Sequence, residues 1–277
     1  ELDRSALAPA QRLMVRSERE IWRGCGLALP VYRHHDPSAP PSGLTALLLH
    51  GFMDAGGTWD ELAAPLAEAG VTVLAPDLRG FGGADRVGAG GYYHFPDYVA
   101  DVDMLVEQLP EGTRLVVTGH SMGGTVACLY AGARPERVER LVLLEGVGPP
   151  GVPADAGLHR LRRWLEQLRE GPRASAPRSR EDALRRLALV HARVVPAVLE
   201  RKLAHLLVEE PDGSLRWAYD PLHRTMAPYR FDAEVFAHVL EAITCPTLFI
   251  GGGPDGFPPE DEAVRLSRIA GPVARLD

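Results

Sequence analysis

Two patterns of hydrophobic and polar positions alternate along the chain. Short, almost wholly apolar runs, such as residues 46–50, are typical of strands that are buried on both faces of a sheet. Longer stretches, such as residues 96–109, carry apolar residues at every third or fourth position, which is typical of amphipathic helices. Because strand and helix follow each other in turn, the pattern predicts a mostly parallel sheet with helices on both faces. Further strands are predicted at 19–23, 27–34, 71–75, 115–118 and 138–144.

The alternation stops at a Gly-Pro-Pro-Gly turn at residues 148–151. Beyond it the apolar positions keep helical spacing until about Arg230, and the strand pattern resumes at 246–251. Amphipathic helices are predicted at 158–168, 181–193 and 197–208. We therefore predict a helical cap inserted into an α/β core. The expected segments are a first part of the core at 1–148, the cap at 149–231 and a second part of the core at 232–277.

The most informative motif is Gly-His-Ser-Met-Gly at residues 119–123, which Gly124 extends. It follows the strand predicted at 115–118 and precedes an apolar run at 125–131. A serine between a strand and a helix is held on a tight turn, with its hydroxyl exposed above the sheet. Glycines flank it because side chains there would collide with neighbouring backbone. The context predicts that Ser121 is a nucleophile rather than part of an ordinary glycine-rich turn.

An activated serine also requires N–H donors for the oxyanion that forms on the substrate carbonyl. The amide of Met122 is expected to supply one, because it lies at the N-terminus of the following helix. The second donor is expected on the loop after the strand at 46–50, and we predict the amide of Phe52. His50, at the start of that loop, is expected to order the loop rather than to act as a base.

Two carboxylates are candidates for the acid that orients the base. Asp255 follows the strand at 246–251, at the edge of the sheet where catalytic groups of open α/β folds collect. Glu145, at the end of the preceding strand, is the alternative acid. We predict Asp255 as the acid, and an aspartate in a turn beside a glycine is the non-catalytic interpretation.

The base is expected to be a histidine that follows the acid, because the chain order in this architecture is Ser, Asp, His. The last histidine of the chain, His238, precedes Asp255. We therefore expect the catalytic histidine beyond Asp277. His94, on a loop that enters a helix, and His223, in the cap, are the other candidates, with surface or packing roles as the alternative for both.

Composition narrows the classes of partner. The formal net charge is −7 and no apolar run reaches membrane-spanning length, so neither a nucleic-acid partner nor a membrane partner is expected. Arginines cluster among glutamates between Arg160 and Arg201, which is typical of solvated helix faces.

The cysteines match neither a metal motif nor a disulfide framework; they are Cys25, Cys128 and Cys245. We expect no metal and no cofactor. No signal peptide is visible, which favours a cytoplasmic location.

These motifs together resemble the serine-nucleophile branch of the α/β-hydrolase superfamily over nearly the whole chain. The Asp-Leu-Arg-Gly-Phe-Gly stretch at 77–82 looks like that family's loop after the fourth strand, whose role is structural. Phe52 and Met122 are similar to the oxyanion pair of the non-heme haloperoxidase and aryl esterase group, although Met53 replaces the usual proline. Residues 50–62 also look like serine hydrolase-like proteins. The resemblance implies the α/β-hydrolase fold, a mostly parallel sheet with a helical cap insertion.

The resemblance and Ser121 together imply a hydrolase that cleaves small or medium carboxylic esters through an acyl-enzyme. Serine excludes the dehalogenase and epoxide hydrolase branches, which require aspartate at this position to form an alkyl ester. The same serine would serve a carbon–carbon bond hydrolase or an acyltransferase, and a non-catalytic ligand-binding protein on this scaffold is a third hypothesis. The expected partner is a small-molecule ester, and His94 and Trp164 are expected to contribute to its binding site.

Overall fold

The computed structural model describes residues 15–253 and 256–276, which contain an eight-stranded sheet of order β1-β2-β4-β3-β5-β6-β9-β10. The strands are β1 (Arg16–Gly24), β2 (Leu27–His35), β3 (Leu44–Leu49), β4 (Thr72–Pro76), β5 (Arg114–His120), β6 (Arg140–Leu144), β9 (Thr247–Ile250) and β10 (Val273–Leu276). Strand β2 is antiparallel to both of its neighbours, and the other neighbouring pairs are parallel. The predicted mostly parallel sheet is therefore confirmed.

Helices cover both faces of this sheet. The helices are α1 (Asp60–Glu68), α2 (Phe95–Val106), α3 (Met122–Ala133), α4 (Ala156–Glu170), α5 (Arg180–Val190), α6 (Pro196–Leu206), α7 (Ala233–Glu241) and α8 (Glu262–Ser267). On β3, Leu47 and Leu49 join the main hydrophobic core with α2, α3 and α7. Their neighbours Ala46 and Leu48 join a second core with α1. Successive strand residues point to opposite faces, so the apolar run of β3 is buried on both sides.

The cap lies between β6 and α7 and consists of α4, α5, α6 and a short hairpin. Ala183 and Leu187 of α5 pack with Leu199 and Leu203 of α6 in a hydrophobic cluster of their own. The hairpin, β7 (Leu207–Glu209) with β8 (Leu215–Trp217), was not indicated by the sequence pattern. Each of its strands is three residues long, which is too short to show an alternating pattern. The predicted domain boundaries stay a prediction.

Helix α6 attaches the cap to the core near the loop that follows β3. The Lys202 ammonium lies 2.6 Å from Asp54 Oδ2, and Arg201 Nε donates to Glu61 Oε1 at 2.8 Å. Burial is the largest single effect and would raise the pKa of the Asp54 carboxyl, but the Lys202 charge and the hydrogen bonds from Lys202 and Thr58 are among the effects that together hold that pKa below its usual value. Within the described part of the chain, none of the helices has the length and apolar character needed to cross a membrane.

Candidate active site

Ser121 lies in the turn between β5 and α3, with φ 50° and ψ −111°. Such a conformation costs a non-glycine residue about 1–3 kcal/mol and persists only where the surrounding structure enforces it. The Ser121 N–H donates to the Leu144 carbonyl at 3.0 Å, which ties the turn to the end of β6. The residue is exposed, and its hydroxyl has no hydrogen-bond partner among the described residues. The turn therefore presents a free hydroxyl at the carboxyl edge of the sheet.

Glycines allow three backbone segments to meet around Ser121. A Cβ on Gly119 would lie 2.3 Å from the Gly123 oxygen, and one on Gly123 would lie 2.2 Å from the Leu49 oxygen. A Cβ on Gly124 would lie 2.5 Å from the Cα atom of Gly146. Any side chain at these positions would thus collide with backbone atoms that cannot swing away. The glycines of the motif hold the start of α3 against the ends of both β3 and β6.

Two backbone N–H groups next to this turn have no acceptor among the described residues. Met122 is the first residue of α3, so its N–H has no acceptor within the helix. Phe52 follows β3, and its N–H makes no backbone hydrogen bond among the described residues. The Phe52 turn lies close to Ser121, since a Cβ on Gly51 would lie 2.6 Å from the ring of His120. The assignment of Phe52 and Met122 as the oxyanion donors stays a prediction.

His50 is fully buried and orders the loop that carries Phe52. Its Nδ1 atom lies 2.8 Å from the Gly51 carbonyl, and its Nε2 atom accepts a hydrogen bond from the Leu78 N–H at 3.0 Å. The carbonyl requires a proton on Nδ1 and the N–H requires none on Nε2, so the ring is neutral. Burial also lowers the pKa of His50, which further disfavours the charged form of the ring. With both nitrogens engaged, His50 cannot accept the proton of Ser121.

The loop at 77–82 holds the segment after β3 in place through hydrogen bonds, and an ion pair joins the loop to α2. The buried Asp77 carboxylate accepts the N–H groups of Gly56 at 2.7 Å and Gly83 at 2.8 Å. Arg79 forms a two-point ion pair with the buried Asp101 of α2, at 2.6 and 2.7 Å. These contacts join the loop to the segment after β3 and to α2. The loop therefore has the structural role that the family resemblance implies.

Glu145, the alternative acid, lies immediately after β6 in a left-handed conformation with φ 49°. Its Oε1 atom accepts the N–H of Phe257 at 3.0 Å. Side chains at Gly252 or Gly256 would lie within 2.2 Å of the same oxygen, so both glycines make room for the carboxylate. Glu145 thus fixes the loop that follows β9 from the strand next to Ser121. The predicted acid of that loop, Asp255, lies outside the described residues.

His94 and Trp164 belong to one aromatic group between the α2 entrance and the cap. The His94 ring lies 5.4 Å from Tyr92 and 6.1 Å from Tyr229, measured between ring centroids. Trp164 of α4 packs edge-on against Tyr92 at 5.6 Å. The structure thus brings both predicted substrate-binding residues to Tyr92. No hydrogen bond joins either of them to Ser121 within the described part of the chain, and their role in binding stays a prediction.

His223 packs behind Phe52 instead of lying free in the site. Its ring stacks 4.0 Å from Phe81, lies 4.0 Å from Tyr93 and meets Phe52 edge-on at 6.0 Å. Its buried Nε2 atom has no hydrogen-bond partner among the described residues. Burial lowers the pKa of His223 to about 4, against the opposing effect of Asp220. The ring is therefore neutral at physiological pH and supports the turn that carries Phe52.

Replacing His223 with phenylalanine should make the free energy of unfolding less sensitive to acid. The pKa of His223 is about 4 when folded and 6.5 when free, so the unfolded chain binds the proton first as the pH falls. Stability present above pH 6.5 is therefore lost on the way down to about pH 4. His223→Phe should reduce this loss by on the order of 2 kcal/mol. Denaturant titrations near both ends of that pH range measure it.

The matched control is His159→Phe, because His159 is exposed on α4. This control should leave the pH dependence of unfolding as it is in the parent protein. An equal change in both variants would contradict the assignment of the acid sensitivity to the buried ring of His223.

Sequence reasoning missed the ion pair of Lys202 and Asp54 beside the predicted oxyanion loop. Burial lowers the pKa of His120, next to Ser121, and the Asp54 and Lys202 charges act on it in opposite directions. One signal was available, since Lys202 is the only lysine in the chain.

Within the described residues, no group of three or more His, Cys, Asp or Glu side chains is placed to hold a metal ion.

Known proteins share both the sequence pattern and the fold. A serine hydrolase-like protein of Danio rerio is 41% identical over 109 residues, which are 39% of this chain and 33% of that protein. Lipase LipV of Mycobacterium tuberculosis is 32% identical over 185 residues, 67% of this chain and 64% of the lipase. The chain thus matches about a third and about two thirds of the lengths of these relatives.

A solved structure, the thioesterase domain from the curacin biosynthetic pathway, superimposes with a TM-score of 0.79. The two sequences are 23% identical, and the superposition covers 94% of this chain and 92% of the thioesterase domain. At this identity the comparison supports the fold alone. The family model described as the alpha/beta hydrolase fold matches residues 47–269, which include the Ser121 turn and the cap. The chain therefore belongs to the α/β-hydrolase fold family, as its motifs indicated.

Proposed function

We propose that this protein is a serine hydrolase that cleaves carboxylic esters through an acyl-enzyme on Ser121. The observation that carries the proposal is the turn itself. An exposed serine is held at φ 50° between β5 and the N-terminus of α3, and its hydroxyl has no hydrogen-bond partner within residues 15–253 and 256–276. A turn of this kind places a nucleophile beside backbone N–H donors. A relative named a lipase, matched over 67% of this chain, supports ester chemistry.

In the proposed reaction, Ser121 Oγ attacks the ester carbonyl while its proton passes to the base. The amides of Phe52 and Met122 bind the oxyanion of the tetrahedral intermediate. Collapse of the intermediate expels the alcohol, which takes the proton from the base and leaves the acyl group on Ser121. A water molecule then attacks the acyl-enzyme by the same route and releases the carboxylic acid.

The base of this mechanism is proposed to be a histidine that follows Asp255 in the chain, beyond Asp277. Three histidines near the site have other roles. His50 is neutral with both nitrogens engaged, and His223 is enclosed by aromatic rings. His94 contacts Tyr92 and Tyr229, and its backbone N–H caps α2 through Asp97. These contacts support a base outside this group.

Asp255 is the proposed acid, and Glu145 is the alternative that the geometry keeps open. Glu145 lies at the end of β6, beside the β5 strand that leads to Ser121. Its hydrogen bond to the Phe257 N–H equally suits a carboxylate that positions the loop bearing Asp255. Asp255→Asn and Glu145→Gln distinguish the two roles, since the acid is the residue whose replacement lowers kcat more.

Hydrolysis of p-nitrophenyl acetate and butyrate tests the proposal. Protein expressed from the complete reading frame should turn over both esters with saturation kinetics. The same preparation is assayed with a dienoic diketo acid and with an alcohol acceptor. Turnover of the diketo acid alone would assign a carbon–carbon hydrolase, and transfer to the alcohol alone would assign an acyltransferase. Inactivity on every substrate, with intact folding, would favour the non-catalytic ligand-binding protein.

A further inference from the structure

Helix α4 of the cap has a row of leucines that the other described residues leave partly exposed. Leu158, Leu161, Leu165 and Leu168 follow one another at spacings of three and four residues, so they share one face of the helix. Their exposed fractions are 57%, 41%, 41% and 36%. None of the residues of α4 is buried. We call this row the leucine face of α4.

The contacts that hold α4 to the protein come from a different side of the helix. Arg160 Nε donates to the Ala227 carbonyl at 3.2 Å, and Gln167 Oε1 accepts the Met226 N–H at 2.7 Å. At 100° per residue, Arg160 and Gln167 lie about 120–140° from the middle of the leucine face. The helix is therefore attached through these polar contacts and through Trp164, which lies toward the same side and packs edge-on against Tyr92. Among the described residues, none of these contacts involves the leucine face.

Two arginines border the leucine face on the side away from this attachment. Arg162 and Arg169 are exposed, and neither has a hydrogen-bond or ion-pair partner among the described residues. Arg163, on the opposite side of the same helix, pairs with Glu166 at 3.2 Å. On α5 and α6, the arginines that form ion pairs likewise have their positive charges balanced by carboxylates. Uncompensated positive charge is thus found on α4 where it borders the apolar row.

We propose that α4 binds an anionic lipid surface through its leucine face. An amphipathic helix with a narrow apolar face and arginines beside it lies in the plane of a bilayer interface. The leucines would enter the boundary between headgroups and acyl chains, where the hydrocarbon covers them. Arg162 and Arg169 would extend to the lipid phosphates, which supply the negative charge that the described residues do not. The sequence predicted solvated helix faces and no membrane partner. The proposal departs from the second prediction because the leucines are exposed and the two arginines have no partner among the described residues.

A second copy of the chain is a poorer occupant of the same face. A symmetric contact uses the same surface on both subunits. It would place the arginines that border one leucine face beside those of the other, and like charges close together are destabilising. An anionic surface satisfies the leucines and the arginines at once. This inference does not depend on Ser121, and its test does not require catalysis.

Co-sedimentation with lipid vesicles tests the proposal. The protein should bind phosphatidylcholine vesicles that contain phosphatidylglycerol, and bind pure phosphatidylcholine vesicles much more weakly. Leu161→Glu with Leu165→Glu should lower the partition coefficient by about tenfold or more, since two apolar contacts are lost. Arg162→Gln with Arg169→Gln should lower it by about fivefold for each arginine, and added salt should reduce that difference.

The matched control is Arg163→Gln, which removes one positive charge from the opposite side of α4 and is compared with the loss for each arginine of the double variant. It should leave the partition coefficient within about twofold of the parent value if binding is specific to the leucine face. A loss with Arg163→Gln as large as the loss for each arginine of the double variant would overturn the proposal in favour of unspecific attraction. Absence of binding to both vesicle types would also overturn it, as would a dimer in sedimentation velocity that the leucine variants abolish. Thermal unfolding of each variant confirms that α4 is still folded.

Discussion

Ser121→Ala should lower kcat for p-nitrophenyl butyrate by about 10⁶-fold, because removing the nucleophile of an intact triad costs roughly that much. The reason lies in the geometry of the turn. The serine hydroxyl is exposed between β5 and α3, next to the N–H groups of Met122 and Phe52, which have no acceptor in the described part of the chain. Alanine removes the oxygen that is proposed to form the acyl-enzyme, while the N–H groups stay in place. The measurement is steady-state hydrolysis by protein from the complete reading frame.

A matched variant separates the loss of chemistry from a loss of structure. Ser121→Gly should be as inactive as Ser121→Ala, yet more stable than the alanine variant by about 1–2 kcal/mol, because glycine adopts φ 50° without steric cost. Mass spectrometry after treatment with a fluorophosphonate should show the adduct on Ser121 in the parent protein and none in either variant. Hydrolysis near the parent rate by either variant would contradict the assignment of the nucleophile.

The turn could be predicted because its signal is local. The glycines, the preceding β-rich run and the following apolar run all lie within residues 115–131. At each of these positions only glycine fits, because the turn itself or an adjacent strand end brings a backbone atom close to where a Cβ would lie. The sheet could be predicted for a similar reason, since strands buried on both faces, such as β3, appear as uninterrupted apolar runs.

The contacts between cap and core could not be predicted, because they join residues far apart in the chain. Lys202 reaches Asp54 across 148 positions, and Tyr93 donates to Asp220 across 127 positions. His223 gave no signal of its stacking on Phe81, since a lone histidine in a Pro-Leu-His sequence is compatible with many environments. Periodicity identified α4 as amphipathic, but it could not show that the polar side would attach to the protein. Only tertiary contacts determine which side of α4 attaches to the protein.

The predicted oxyanion donors depend on one close approach, and Gly123→Ala is the variant that disturbs it. A Cβ at this position would lie 2.2 Å from the Leu49 oxygen and 2.6 Å from the His50 oxygen. The first turn of α3 must therefore move away from the end of β3, and the Met122 N–H moves with it. Loss of one oxyanion donor costs about 10²–10³-fold in kcat, and we expect a loss in that range with little change in KM.

Gly132→Ala is the control that makes this result interpretable. Gly132 lies further along the same helix, and a Cβ there would lie 2.5 Å from the Val239 oxygen of α7. Both variants crowd α3 against backbone, so both should lower the free energy of unfolding. Only Gly123→Ala displaces the helix end beside Ser121, so only it should lower kcat at a temperature where both proteins are folded. Comparable losses of kcat in the two variants would mean that general destabilisation explains the effect, and that the Met122 amide is not an oxyanion donor.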